Sequence, residues 1–194
     1  MKTITETLLI ADDEKNIRDG LKCILDWKSL GFTLCGEAAN GEEALSCILK
    51  NNPSLVLLDI RMPKLTGIDI IRIAREQGYN GRFIILSGYS DFSYAQAAIR
   101  YGVECYLTKP IDEDELLDAI HTIKESLMQE HRASDNIPFG AHVHKKQQTR
   151  NAYCFSKRYQ LLAVVNATFS AIISVSICSA SAIPVFSSSF IMLS

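Results

Sequence analysis

Short apolar runs alternate with amphipathic stretches along roughly the first 130 residues of the chain. The runs cover residues 7–11, 32–38, 55–59, 82–87 and 104–108. Residues 55–58 are four apolar side chains in a row, between an Asn-Asn-Pro turn and a Met-Pro turn. Such continuous runs are typical of strands that are buried on both faces of a parallel sheet. We therefore predict five β-strands.

Between these strands and after the last of them, apolar residues recur every three or four positions, which is the pattern of a helix packed on a sheet. The first stripe is Ile17, Leu21, Ile24 and Leu25, and the last is Leu116, Ile120, Ile123 and Leu127. The other predicted helices cover residues 41–49, 66–77 and 92–101. Strands alternating with helices predict an α/β fold with a doubly wound parallel sheet and right-handed crossovers.

Polar residues stand at the carboxyl ends of four predicted strands. Asp12 and Asp13 follow the first, Asp59 closes the third, Ser87 closes the fourth, and Lys109 follows the fifth. Ligands of open α/β sheets bind at this edge. Each residue has an ordinary reading as a turn or solvated side chain, but their convergence predicts one site.

Crowded carboxylates repel one another, and a hard divalent cation such as Mg²⁺ relieves that repulsion. The sequence thus predicts a Mg²⁺ site at Asp12, Asp13 and Asp59. Lys109 adds a fixed cation and Ser87 a neutral donor. Together these groups can receive a phosphoryl group on a carboxylate, which makes Asp59 the candidate nucleophile.

The order of these motifs resembles the signature of bacterial response-regulator receiver domains. The matching residues are Asp12-Asp13, Asp59 with Met62-Pro63, Ser87-Gly88 and Lys109-Pro110. The resemblance implies a flavodoxin-like five-stranded sheet of order 2-1-3-4-5. It also implies phosphorylation of Asp59 by a partner sensor histidine kinase, in a two-component phosphorelay, with possible homodimerisation afterwards.

The same resemblance implies finer roles. Asp13 becomes the main metal ligand, Asp12 assists it, and the main-chain oxygen of Arg61 completes the protein ligands. Lys109 contacts the phosphoryl oxygens, and its bond to Pro110 is expected to be cis.

Ser87 and Tyr106 match the switch pair of the family. In that reading, Ser87 moves toward the phosphoryl group and Tyr106 turns into the vacated space; the alternative for Tyr106 is a half-buried strand aromatic. Residues 88–95 further resemble receivers that are joined to AraC-type DNA-binding domains, whose output is transcription regulation.

Charge divides the chain into two unlike parts. Residues 1–140 contain 15 basic and 22 acidic residues, a net charge of −7, whereas residues 141–194 carry five basic residues and no acidic one. We therefore predict a receiver domain at residues 5–130, a linker at 131–140 and a tail at 141–194.

Three hypotheses remain open for the tail, which does not resemble a DNA-binding output domain. It could be a membrane anchor through residues 161–183, behind a basic flank. It could instead be a small folded domain, or a segment without evolved function, such as a frameshift product. Specific DNA binding by this chain is not expected on any of the three.

The cysteines form no Cys-x-x-Cys pair, and the amino terminus has no signal-peptide core, so we expect a cytoplasmic protein. The predicted function is a response regulator that is not a conventional enzyme, beyond self-phosphorylation from a phosphodonor and autodephosphorylation. The alternatives are a membrane-anchored receiver and an aspartyl-phosphate-type phosphohydrolase. The latter needs a second acid two residues after its nucleophile, where this chain has Arg61.

Overall fold

The computed structural model describes residues 5–88, 92–135 and 154–155. Its strands are all parallel and form one sheet in the order β2-β1-β3-β4-β5-β6. The strands are β1 (Glu6–Ala11), β2 (Phe32–Ala38), β3 (Leu55–Asp59), β4 (Arg82–Ser87), β5 (Cys105–Thr108) and β6 (Cys154–Phe155). The helices are α1 (Lys15–Cys23), α2 (Gly41–Asn51), α3 (Gly67–Glu76), α4 (Phe92–Arg100) and α5 (Glu113–Asp135).

The order of the first five strands confirms the predicted doubly wound sheet. β6 was not predicted. It lies in the segment that the sequence analysis assigned to the tail, and it pairs Cys154 with Cys105 and Phe155 with Tyr106. A strand of two residues is too short to show any periodicity, so no sequence pattern announces it.

The register of the central strands determines where the strand ends meet. Ala11 lies opposite Leu58, and Asp59 lies opposite Leu86. Ser87 in turn lies opposite Thr108. Since β1, β3, β4 and β5 end within about one residue of each other, the residues that follow them gather at one edge of the sheet.

The core explains why β3 is apolar throughout rather than alternating. All five of its residues are buried, because helices cover both faces of the sheet. One layer of side chains joins the sheet to α1 and α5; its most buried members include Leu8, Ile10, Leu21, Phe32, Leu55, Leu57, Leu107, Leu116 and Ile120.

Helix α1 is shorter than its apolar stripe. It ends at Cys23, although Leu25 still packs in the core. The indole Nε1 of Trp27 donates to the carbonyl oxygen of Leu21 at 2.8 Å, and the Trp27 carbonyl accepts from the amide of Phe32. Trp27 thus satisfies an orphan carbonyl of the last turn, and the chain turns directly into β2.

Helix α5 extends to Asp135, into the predicted linker. Two contacts hold its later turns on the sheet: Arg82 pairs with Glu130, and His131 Nε2 lies 2.9 Å from Glu6 Oε1. Within the described ranges, no helix has both the length and the apolar character needed to cross a bilayer. Residues 161–183, on which the membrane-anchor hypothesis rests, lie outside the described residues.

Candidate functional site

The polar residues predicted to meet at the carboxyl edge are brought together there. Asp12 is fully buried, Asp59 is 5% exposed and Ser87 is 3% exposed. The Lys109 side chain, which follows β5, is 16% exposed and reaches the same point. Asp13, in contrast, is exposed. The edge therefore holds two buried carboxylates, one hydroxyl and one ammonium group.

The ammonium group of Lys109 is shared by both buried carboxylates. Its Nζ lies 2.7 Å from Asp12 Oδ2 and 2.7 Å from Asp59 Oδ1. The main chain of Lys109 is also held in place, because its amide donates to the Ser87 carbonyl oxygen at 2.7 Å. The peptide bond to Pro110 is cis, as the family resemblance implied.

Each carboxylate is oriented through its second oxygen. Asp12 Oδ1 accepts a hydrogen bond from the Glu14 amide at 2.9 Å. Asp59 Oδ2 accepts one from the Arg61 amide at 2.7 Å. One ammonium bond and one main-chain bond on each side chain hold the two carboxylates in defined orientations.

Burial raises the pKa of Asp59 above its ordinary value, and the charge of Asp12 adds to the rise; bonds from Lys109 and the Arg61 amide act against it. Burial lowers the pKa of Lys109, but its bonds to Asp12 and Asp59 outweigh that effect and leave this pKa raised. Lys109 is therefore protonated at neutral pH. With both carboxylates ionised, the cluster has a net charge of −1.

A net negative cluster of carboxylate oxygens has the donor chemistry that suits Mg²⁺. Asp12 and Asp59 provide buried oxygens, and Asp13 provides a third carboxylate on the adjoining residue. In the described part of the chain, however, no three His, Cys, Asp or Glu side chains are grouped so that they could hold a metal ion. The residues fit a hard cation by charge and donor type. In the structure, Lys109 forms ion pairs with the two buried carboxylates.

Gly67 packs against the main chain of Asp59 and Ile60. The sequence analysis did not identify it. Its amide donates to the Ile60 carbonyl oxygen at 2.8 Å. A Cβ atom on Gly67 would lie only 2.5 Å from the Asp59 carbonyl oxygen, so no side chain fits here. The sequence signal that could have revealed it is a glycine directly after Thr66, the N-cap of α3.

Arg18 of α1 was also missed. Its Nη1 donates to the carbonyl oxygens of Asp12 and Asp13, at 2.7 Å and 3.2 Å. The sequence signal that could have revealed it is an arginine four residues into a helix that begins two residues after Asp13.

Ser87 and Tyr106 lie on the same side of the sheet. Ser87 pairs with Thr108, and Tyr106 stands two residues before Thr108, so their side chains share a face. Tyr106 is fully buried. The loop that would connect their movements includes residues 89–91, which lie outside the described residues.

Comparison with known proteins points to one family. The family model of the response regulator receiver domain matches residues 8–121. The uncharacterised transcriptional regulatory protein YesN of Bacillus subtilis is 40% identical over 116 residues, which cover 60% of this chain and 32% of YesN. The chain thus spans about a third of that relative's length.

Two solved structures share the fold. The REC domain of the response regulator AraT from Geobacillus stearothermophilus is 39% identical, with a TM-score of 0.62, over 66% of this chain and 98% of that one. The two-component transcriptional regulator AraC from Clostridium phytofermentans is 36% identical, with a TM-score of 0.55, over 66% and 98%. The predicted resemblance is confirmed: the chain belongs to the response regulator receiver domain family of two-component systems.

Proposed function

We propose that this chain is a phosphoryl-accepting switch in which Asp59 takes a phosphoryl group from a phosphohistidine of a partner sensor kinase. The observation that carries this proposal is the position of Lys109 Nζ, 2.7 Å from both Asp59 and Asp12. A cation fixed between a buried carboxylate and its acidic neighbour is placed to meet the negative charge of an incoming phosphoryl group.

In the proposed step, an Asp59 carboxylate oxygen forms a bond to phosphorus while the phosphorus–nitrogen bond of the donor breaks. The imidazole leaves with the electron pair and takes up a proton, and Asp59 becomes an acyl phosphate. Lys109 then contacts the phosphoryl oxygens, and the Ser87 hydroxyl donates to one of them. Attack by water on phosphorus restores the carboxylate, which is the autodephosphorylation expected of this family.

Receiver domains typically bind Mg²⁺. In this chain Asp12, Asp13, Asp59 and the main-chain oxygen of Arg61 would hold it. When bound, it supplies positive charge to the phosphoryl oxygens beyond what Lys109 provides. The net charge of −1 on the Asp12, Asp59 and Lys109 cluster favours a divalent cation at this edge.

The switch that follows phosphorylation is proposed to involve Ser87 and Tyr106, since both are buried and share one face of the neighbouring strands β4 and β5. The output is proposed to be transcription regulation in the cytoplasm, because YesN is named a transcriptional regulatory protein. Such an output needs a partner or a further domain, because we expect no specific DNA binding from this chain; dimerisation after phosphorylation would be one route.

Labelling of the full chain with acetyl phosphate and Mg²⁺ tests the proposal. We expect one acid-stable, base-labile phosphoryl group, located by peptide mass spectrometry on Asp59. Asp59→Asn should abolish the label and chelation of Mg²⁺ should suppress it. Asp114→Asn, which changes an exposed acid in the first turn of α5, is the matched control and should be labelled like the unaltered chain.

Full stoichiometric labelling of the Asp59→Asn variant would contradict the proposal, since another residue would then be the acceptor. Labelling that is indifferent to Mg²⁺ would contradict the metal assignment alone.

A further inference from the structure

We propose that Arg18 is a positioning residue for the divalent-cation site: it clamps the loop between β1 and α1 and thereby fixes where Asp13 is presented. This inference rests on the proposed function, because it concerns the cation that the phosphoryl transfer needs. In the contacts described above, Arg18 does not bond to the carboxylate group of Asp12, Asp13 or Asp59. It acts through the main chain of the loop.

The clamp is made by one nitrogen. Arg18 Nη1 donates to the Asp12 carbonyl oxygen at 2.7 Å and to the Asp13 carbonyl oxygen at 3.2 Å. The Arg18 side chain is 13% exposed; its bond to the Asp12 carbonyl oxygen is partly buried, whereas its bond to the Asp13 carbonyl oxygen is exposed. A charged donor makes stronger hydrogen bonds than a neutral one, roughly by a factor of two.

Asp13 depends on this clamp more than Asp12 does. Asp12 is tied by its amide to the Ala38 carbonyl oxygen at 3.1 Å, by one carboxylate oxygen to the Glu14 amide, and by the other to Lys109. For the exposed Asp13, the contact that the structure describes is the bond from Arg18 to its carbonyl oxygen. The N-cap of α1, Glu14, makes no side-chain cap that would help to hold the loop.

The position of Arg18 carries an electrostatic cost, because it places a positive charge beside a site for a cation. Glu37, at the end of β2, reduces that cost: its Oε2 lies 3.4 Å from Arg18 Nε. Lys22 pairs with the other oxygen of Glu37 at 2.9 Å. Lys22 belongs to the same charged cluster but makes no described bond to the loop.

The two roles of Arg18 predict opposite results. If Arg18 acted only through its charge, removing it would tighten Mg²⁺ binding, because a repelling cation is lost. If Arg18 acts as a clamp, removing it loosens Asp13 and weakens Mg²⁺ binding. The sign of the change in affinity therefore separates positioning from electrostatics.

The experiment is a calorimetric titration of the full chain with Mg²⁺, comparing the unaltered chain with Arg18→Met, Arg18→Lys and Lys22→Met. Arg18→Met keeps the aliphatic stem and removes the donors and the charge. We expect its Mg²⁺ affinity to fall about tenfold, as with loss of other outer-shell partners of metal sites. Arg18→Lys should also be weakened, because a lysine ammonium group ends one bond short of the position that Arg18 Nη1 occupies and differs from the guanidinium in donor geometry. Lys22→Met should bind Mg²⁺ as the unaltered chain does, or slightly more tightly.

Thermal unfolding with a chelator present shows whether each variant is folded at the temperature of the titration. If Arg18→Met is not folded there, the Arg18→Lys titration decides. Unchanged or tighter Mg²⁺ binding in the folded Arg18 variant would overturn the clamp, while labelling of Asp59 in the unaltered chain would leave the proposed function standing. Failure of the unaltered chain to bind Mg²⁺ would overturn the metal assignment and the clamp together.

Discussion

Charged side chains are largely buried at both ends of the strands, which we call the amino edge and the carboxyl edge of the sheet. The partners of these charged groups differ between the two edges. At the amino edge, Arg75 of α3 donates to four main-chain carbonyl oxygens, in Tyr79, Gly81, Tyr101 and Gly102. Its guanidinium also lies 4.9 Å from the centre of the Phe83 ring. At the carboxyl edge, Lys109 donates instead to two carboxylates.

This difference separates structure from chemistry. Main-chain carbonyl groups cannot change their charge, so the Arg75 cluster has one stable arrangement, which joins the loops before β4 and β5. Carboxylates can bind a metal ion, take up a proton or accept a phosphoryl group. The contacts of Lys109 can therefore be exchanged, and this edge of the fold is suited to a reaction.

The largest expected effect is that of Lys109→Ala in the presence of a chelator. The change leaves Asp12 and Asp59 buried without their shared cation. Breaking a buried ion pair from one side costs about 3–5 kcal/mol. We expect about 3 kcal/mol of unfolding free energy to be lost, the lower end of that range, because part of the Lys109 side chain reaches solvent. Urea denaturation measures the loss.

The pH dependence of that loss has a definite sign. Burial raises the pKa of Asp59 above its ordinary value of 3.8, and removing Lys109, which acts against the rise, raises it further. A carboxyl group with a raised folded-state pKa stabilises the fold fully below its unfolded pKa, and this stabilisation is lost as pH rises through the folded pKa. Lys109→Ala should therefore approach the stability of the unaltered chain at acid pH.

Mg²⁺ should also restore part of the stability of Lys109→Ala, because it replaces the missing positive charge. The control is Lys64→Ala, which removes a lysine whose ion pair with Glu42 is exposed, and it should leave the urea midpoint unchanged. If Lys109→Ala is as stable as this control at neutral pH with chelator, the buried Lys109 stabilises the fold no more than the exposed Lys64 does.

The next largest loss of stability is expected at the amino edge. Arg75→Met should cost about 2 kcal/mol of unfolding free energy, because several carbonyl groups lose a charged donor. It should leave the rate of Asp59 labelling by acetyl phosphate unchanged wherever the variant is folded. Arg72→Met, three residues earlier on an exposed part of α3, is the control and should change neither quantity. A slowed labelling reaction in folded Arg75→Met would mean that the two edges are coupled.

The last prediction tests the support of Asp59. Gly67→Ala places a Cβ 2.5 Å from the Asp59 carbonyl oxygen, a main-chain atom that cannot move aside easily, and we expect a cost of about 1–3 kcal/mol together with slower labelling by acetyl phosphate. Gly20→Ala is the matched control, because a Cβ at Gly20 meets nothing within 4 Å. It should gain about 0.5–1 kcal/mol from the better helix former, with unchanged labelling. Equal labelling rates in the two variants would contradict a supporting role for Gly67.

The strands could be predicted closely from sequence because each is a continuous apolar run between turn residues. β2, β3 and β4 begin and end where the pattern placed them. The meeting of Asp12, Asp59, Ser87 and Lys109 was equally predictable, since parallel strands that end in register deliver their next residues to one edge.

What sequence could not predict are contacts in which a long side chain reaches the main chain of another segment. Arg18 and Arg75 bond to carbonyl oxygens, which every residue possesses, so no residue type marks their partners. Gly67 matters through the space it leaves empty beside Asp59, and that space exists only once β3 and α3 are packed. The early end of α1 involves a contact of the same kind, because the Leu21 carbonyl oxygen of its last turn accepts from the side chain of Trp27.

Trp27 is the single tryptophan of the chain. Its indole is bonded to Leu21, packs edge-on against Phe32 with ring centres 6.4 Å apart, and is 8% exposed. It follows the far end of α1, a helix whose nine residues span about 13 Å from the loop of Asp13. Ultraviolet emission from this one indole will therefore report the melting of the core around α1 and β2, whereas an optical signal from Asp59 itself requires an added dye.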